Sequence, residues 1–228
     1  MNRLFGKNTL FCFSPEVMVA TIAVELALAI WVLVRFAHTR SRWLIALILV
    51  NLAGFQWAEF NVCTTSPISL MWSRLGYIFI TLLPPLGLHL IVRLAHWPRR
   101  VLIWSYLVAA AFIGVFTFAP STLNLGVCTG NYVIFQLAEP YSKLYGLYYF
   151  GLLFAGITVS RRPLSGTTTK QRRALDRMAI GYLSFIVPTL IIIYWLPGTG
   201  HGIPSIMCGF AVIFALILGL GVAKYTDR

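Results

Sequence analysis

The chain has 228 residues, of which 59% are hydrophobic and only 11% charged, with a mean hydropathy of +0.82. Water-soluble domains carry about 45–50% apolar and about 25% charged residues, so a soluble enzyme and a disordered tail are both excluded. The formal charge of +12 has no hydrophilic domain on which to form a nucleic-acid-binding patch. On so apolar a chain it is expected to face the anionic headgroups of a lipid bilayer, with no nucleic-acid partner.

A helix needs about 20 mostly apolar residues to cross the hydrocarbon core. Seven such stretches are predicted, at roughly 16–36, 43–64, 75–96, 101–119, 142–160, 178–197 and 202–223. The expected fold is therefore an all-α integral membrane protein, a seven-transmembrane-helix bundle forming one domain over residues 1–228. The Met1–Ser14 segment has neither the apolar core nor the small-residue cleavage site of a signal peptide, so the first helix is expected to be a retained anchor.

The first helix carries Glu25 near its middle, and a tight basic turn, Ala37 to Arg42, leads to the second. Asn51 and Gln56 of the second helix sit at comparable depth, with Glu59 nearer the far surface. The third opens after Arg74, meets Pro84-Pro85 at its middle, and carries His89 with Arg93 one turn below. Proline removes a backbone donor, so Pro84 and Pro85, like Pro188 of the sixth helix, are expected to break their helices as hinges and free carbonyls for side chains or a ligand. Pro98 stops the third helix, and the shorter fifth one carries Tyr141, Tyr145, Tyr148 and Tyr149, read as belt or core packing. The loop Ser160–Arg177 holds Arg161, Arg162, Lys170, Arg172, Arg173 and Arg177, and a threonine ahead of its basic run suits a helix N-cap. Those six cations read as a lipid-headgroup contact, with an acidic protein partner as the alternative.

Fourteen of the eighteen Lys and Arg residues fall on one side of this map, leaving Arg3, Lys7, Arg74 and Lys143 on the other. An odd helix count with that bias predicts the N-terminus outside and the C-terminus in the cytoplasm. Cys12, Cys63 and Cys128 then share the oxidising side, while Cys208 lies about two turns into the last helix. A Cys63–Cys128 disulfide is the first candidate and Cys12–Cys128 the second, against four reduced and buried cysteines.

Polar residues at membrane depth are costly and rarely face lipid. Glu25, Asn51, Gln56, Glu59, Arg74 and His89 are accordingly expected to form a ligand-binding or polar cavity among the first three helices. The alternative is ordinary interhelical hydrogen bonding, with Glu59 and Arg74 as an ion pair at the outer surface. No cysteine or histidine spacing suits a metal, and the last helix has no lysine before Lys224 to bind retinal. With no facing histidines for haem and no catalytic motif, neither a cofactor nor an enzymatic activity is expected.

Two runs carry a resemblance. Met71-Trp72-Ser73-Arg74-Leu75-Gly76-Tyr77, followed by Leu83-Pro84-Pro85-Leu86-Gly87-Leu88-His89-Leu90, resembles the N-terminal seven-transmembrane sensor module of bacterial histidine kinases. Arg172-Arg173 ahead of Gly181, and Gly202-Ile203-Pro204-Ser205-Ile206, fit the same pattern. The resemblance implies a bacterial inner membrane and a stand-alone module without its kinase domain, since the chain ends a few residues past the last helix. A non-catalytic role is expected: sensing an unidentified small-molecule ligand, or passing a signal to another membrane protein. An accessory or assembly subunit of a larger membrane complex is the alternative, and a small transporter or channel the second.

Overall fold

The computed structural model describes residues 15–64, 69–123, 127–128, 133–134, 137–162, 166–195 and 202–226. Among them are seven α-helices: α1 (Pro15–Arg35), α2 (Arg42–Thr64), α3 (Ser69–Leu94), α4 (Arg100–Phe118), α5 (Tyr141–Arg161), α6 (Thr169–Trp195) and α7 (Ile203–Leu216). The last continues as a π-helical segment, Ile217–Val222, and a 3-10 turn, Ala223–Tyr225. In the α4–α5 connection two short strands, β1 (Val127–Cys128) and β2 (Val133–Ile134), pair antiparallel.

Six of these helices are long and apolar enough to cross a membrane: α1 to α4, α6, and α7 with its extension. The exception is α5. Its 21 residues have the length, but four tyrosines, Lys143 and Ser142 dilute its hydropathy.

Burial separates the helices. In the apolar stretches of α2 and α3, 67% of the residues are buried, against 28% in α1 and 22% in α4. Thus α2 and α3 form the centre and α1 and α4 the flanks. On α1 a single stripe at helical spacing turns inward: Met18, Glu25, Leu28, Ala29 and Val32. Its other faces leave Ile30, Trp31 and Val34 exposed, as suits a helix with lipid for solvent.

Two starts differ from expectation. α3 begins at Ser69, so Arg74 lies in its second turn. α6 begins at Thr169, which makes the basic run Lys170–Arg177 helix and not loop. The cause is a capping box: the Gln171 N–H donates to Thr168 Oγ1 (3.3 Å), and the Thr168 N–H donates to Gln171 Oε1 (3.0 Å). Hydropathy alone misses charged helical turns that project beyond the apolar span.

Nor do the prolines break their helices. α3 is continuous through Pro84 and Pro85, and α6 through Pro188. Pro85 has no N–H to give to the Thr81 carbonyl one turn back. The Tyr148 hydroxyl of α5 donates to that oxygen instead, at 2.7 Å. Around it Tyr77, Phe112, Phe116, Tyr145 and Tyr148 pack as an aromatic core joining α3, α4 and α5, with ring centroids 5.0–6.0 Å apart. Of the tyrosine stripe, Tyr145, Tyr148 and Tyr149 are thus core packing, whereas Tyr141 is half-buried outside that core. A second junction forms where Gly87 of α3 and Gly156 of α5 both face the Tyr182 ring of α6, leaving no room for a Cβ on either.

The basic connections gather at one end of the bundle. Arg93 Nη1 donates to the Arg40 carbonyl (3.4 Å), and Arg162 stacks on Trp97 (5.3 Å). Arg161 and Arg172 both reach Asp176 at 3.4 Å.

Candidate functional site

The buried polar residues converge between α1, α2 and α7. Helical spacing puts Thr21 and Glu25 on the inward stripe of α1, Gln56 and Glu59 on one face of α2, and Ser205 and Cys208 on one face of α7. The Thr21 hydroxyl donates to Gln56 Oε1, and Gln56 Nε2 donates to Glu25 Oε1 at 3.3 Å. Glu59 is hydrogen-bonded to the Ser205 side chain. The carboxyls of Glu25 and Glu59 lie close enough to act on each other electrostatically, and both act on Cys208. Both are sealed from solvent, at 0% and 1% exposure. Glu25 Oε2 and Glu59 Oε1 nevertheless have no hydrogen-bond partner. Each is an acceptor held at membrane depth with its capacity unmet, where polar groups are expensive.

The six polar residues singled out from the sequence therefore divide. Glu25, Gln56 and Glu59 meet, and α7 supplies the third wall of their site in place of α3. Asn51 is buried but donates to the Leu47 carbonyl of its own helix at 2.7 Å. Arg74 is half-buried with its Nε unpartnered, and no ion pair joins it to Glu59, which lies in the interior and not at the surface. His89 belongs to the basic end, where its Nδ1 meets the Tyr106 hydroxyl at 3.1 Å and the two rings stand edge to face. Sequence reasoning missed Thr21, which shares the helical face of Glu25 one turn earlier. It also missed Ser205, which carries no signal until α7 is docked.

This site is packed and not open. Cys208 also lines a void of about 20 Å³, with Leu52, Gly87, Tyr182 and Phe214 among its other walls; that is room for about one water. A far larger cavity, of about 940 Å³, lies at the basic end. Among the described residues no group of three or more His, Cys, Asp or Glu side chains gathers to hold a metal ion.

Cys63 is disulfide-bonded and Cys208 is free. Within one chain that excludes Cys12–Cys128 and leaves those two as the partners open to Cys63. Cys12 and the Cys128 side chain fall outside the described residues. The strand holding Cys128 packs beside α2, which holds Cys63.

Of the six cations in the 160–177 stretch, Lys170, Arg161, Arg162 and Arg173 are exposed. Arg172 is half-buried and donates to the Arg162 carbonyl at 2.7 Å. Arg177 turns into the protein: its Nη1 donates to the Gly221 carbonyl in the π-helical segment (3.2 Å), and its guanidinium lies 4.6 Å from the Tyr225 ring centre. No model of a known protein family matches this chain, and no curated protein matches it.

Proposed function

We propose that the chain is a non-catalytic membrane module of seven spans that senses through the Glu25–Gln56–Glu59 cluster and relays the state of that cluster along α7. The reading rests on one observation: two buried carboxyls, each with an unpartnered oxygen, meet where the first turn of α7 joins α1 and α2. A proton, a cation or a small polar ligand arriving there changes what Glu59 offers to Ser205, and so the seating of α7. The far end of α7 is suited to respond. A π-helical turn holds one residue more than an α-helical turn and is often found at functional positions. Here it is pinned by Arg177 and seated on Leu28 of α1 through Gly219.

The motif resemblance to histidine-kinase sensor modules supports this class of function, and the charge asymmetry supports an N-terminus outside and a C-terminus in the cytoplasm of a bacterial inner membrane. In that arrangement α5, lined by the aromatic core, completes the seventh crossing.

The test compares backbone hydrogen exchange of the purified chain in lipid nanodiscs with that of Glu25→Gln and Glu59→Gln variants. Altered protection over Ile217–Val222 is expected above all from Glu59→Gln, since this segment lies about three turns along α7 from the Ser205 partner of Glu59. Unchanged protection there sinks the relay. Native mass spectrometry gives the second check. A monomer supports the sensor, whereas a stoichiometric protein partner transfers the chain to the class of complex subunits. Solute flux in liposomes that Glu25→Gln abolishes would make it a small transporter.

A further inference from the structure

The large cavity at the basic end is a second site, independent of the carboxyl cluster. It has about 940 Å³, within the range of about 300–1,000 Å³ typical of ligand sites. Its wall carries His38, Arg40, His89, Arg93, His96 and Arg99, and none of its described lining residues is acidic. Contrast sharpens this. At the same end of the bundle Arg161 and Arg172 share Asp176 at 3.4 Å, so the chain supplies an internal counter-charge there and supplies none on the cavity wall described.

The wall is built, not a chance gathering of surface side chains. The cations come from the α1–α2 turn, the last turns of α3 and the α3–α4 connection, the first of these far in sequence from the other two, which are contiguous. The Arg93–Arg40 hydrogen bond ties the first two. His96 holds a left-handed backbone (φ 52°) at the end of α3, where the Trp97 N–H donates back to the Val92 carbonyl at 3.0 Å. That is a Schellman closure, made here by a residue other than glycine, and it fixes the direction in which the chain leaves α3. His89 sits at depth. It lines the cavity with its Nδ1 engaged by Tyr106, and Arg93 and Arg99 lie close enough to act on the ring electrostatically.

We propose that this cavity binds a phosphate group. Guanidinium forks match phosphate oxygens bidentately, and imidazole N–H donors at the wall add to them, while the wall hydroxyls of Thr39 and Thr226 are already spent on the Phe36 and Ala223 carbonyls. The phosphate comes either from an anionic phospholipid headgroup at the membrane surface or from a soluble phosphate compound, and the chemistry of recognition is the same.

The experiment uses the full chain, purified in detergent and stripped of lipid. Retention of phosphatidylglycerol against phosphatidylcholine is read by native mass spectrometry, with inorganic pyrophosphate as a soluble competitor. Phosphatidylglycerol is expected to be retained at least about tenfold over phosphatidylcholine, whose headgroup has the same phosphate but adds a choline cation that the guanidinium-lined wall repels. Arg99→Gln and, separately, Arg40→Gln are each expected to lower retention by about tenfold, while Lys143→Gln, exposed near the start of α5 and outside the cavity wall, leaves it unchanged. Displacement by pyrophosphate assigns the site to soluble phosphates as well. Retention that pyrophosphate does not displace assigns it to the headgroup. Equal retention of both lipids without a pyrophosphate effect overturns the proposal, and so do Arg99→Gln and Arg40→Gln variants that bind no worse than Lys143→Gln.

Discussion

Tyr148→Phe isolates the one atom that repairs the proline-induced gap in α3. The Thr81 carbonyl, left without its helical donor by Pro85, receives the Tyr148 hydroxyl at 2.7 Å, and both residues are buried. Removing the hydroxyl leaves a buried acceptor unpaired, which in soluble proteins costs about 1–3 kcal/mol. In membranes, single hydrogen bonds average about 0.6 kcal/mol with a maximum of about 1.7. The Thr81 oxygen has no second donor from its own helix, so the upper part of that range applies and about 1–2 kcal/mol is expected. Pro85→Ala supplies the missing N–H. In that background Tyr148→Phe should cost under about 0.5 kcal/mol, giving a coupling of about 1 kcal/mol in the double-mutant cycle. Equilibrium unfolding in bicelles, read by steric trapping, measures all four variants. Equal losses from Tyr148→Phe in the two backgrounds would refute the proposal that the hydroxyl substitutes for the amide.

Other substitutions address separate parts of the bundle. Gly87→Ala places a methyl group against the Tyr182 hydroxyl and should destabilise by about 1–3 kcal/mol; adding Tyr182→Phe should recover most of the loss in the same unfolding assay. Thr168→Ala removes one half of the capping box on α6 and should cost about 1 kcal/mol, seen as faster hydrogen exchange confined to the first turn of α6. His96→Gly relieves a left-handed side-chain residue and should raise the melting temperature, the relief of about 1–2 kcal/mol exceeding the entropic cost of about 0.5–1 kcal/mol. Reduction should change the mobility of the purified chain on non-reducing electrophoresis, because Cys63 is oxidised. A Cys63→Ser variant that still shifts contradicts the disulfide.

Some of the carboxyl site could be read from the chain in advance. Glu25 announces itself as a carboxyl in mid-helix, and Gln56 and Glu59 follow at helical spacing. Their third wall could not be read, because Ser205 and Cys208 are ordinary small residues until α7 is docked against α1 and α2. The cations of the basic end were legible as a count that predicts orientation. That three of them and three histidines enclose one cavity depends on turn geometry, above all on the left-handed His96, which no pattern of residue types signals.

What the sequence by itself determined is the number and approximate extent of the helices and the solvent they require. Apolar runs of about 20 residues admit little else, since every backbone polar group in lipid must be satisfied within the segment. Only the tertiary structure decided which helices are central, that Pro84 and Pro85 leave α3 whole, and which polar residues meet. Those outcomes turn on contacts between distant segments: a tyrosine of α5 repairing a carbonyl of α3, and glycines of α3 and α5 making room for a ring of α6. In lipid, hydropathy does not distinguish one helix neighbour from another, so close packing and hydrogen bonding select the partners. Both act over a few ångströms and are invisible in a one-dimensional pattern.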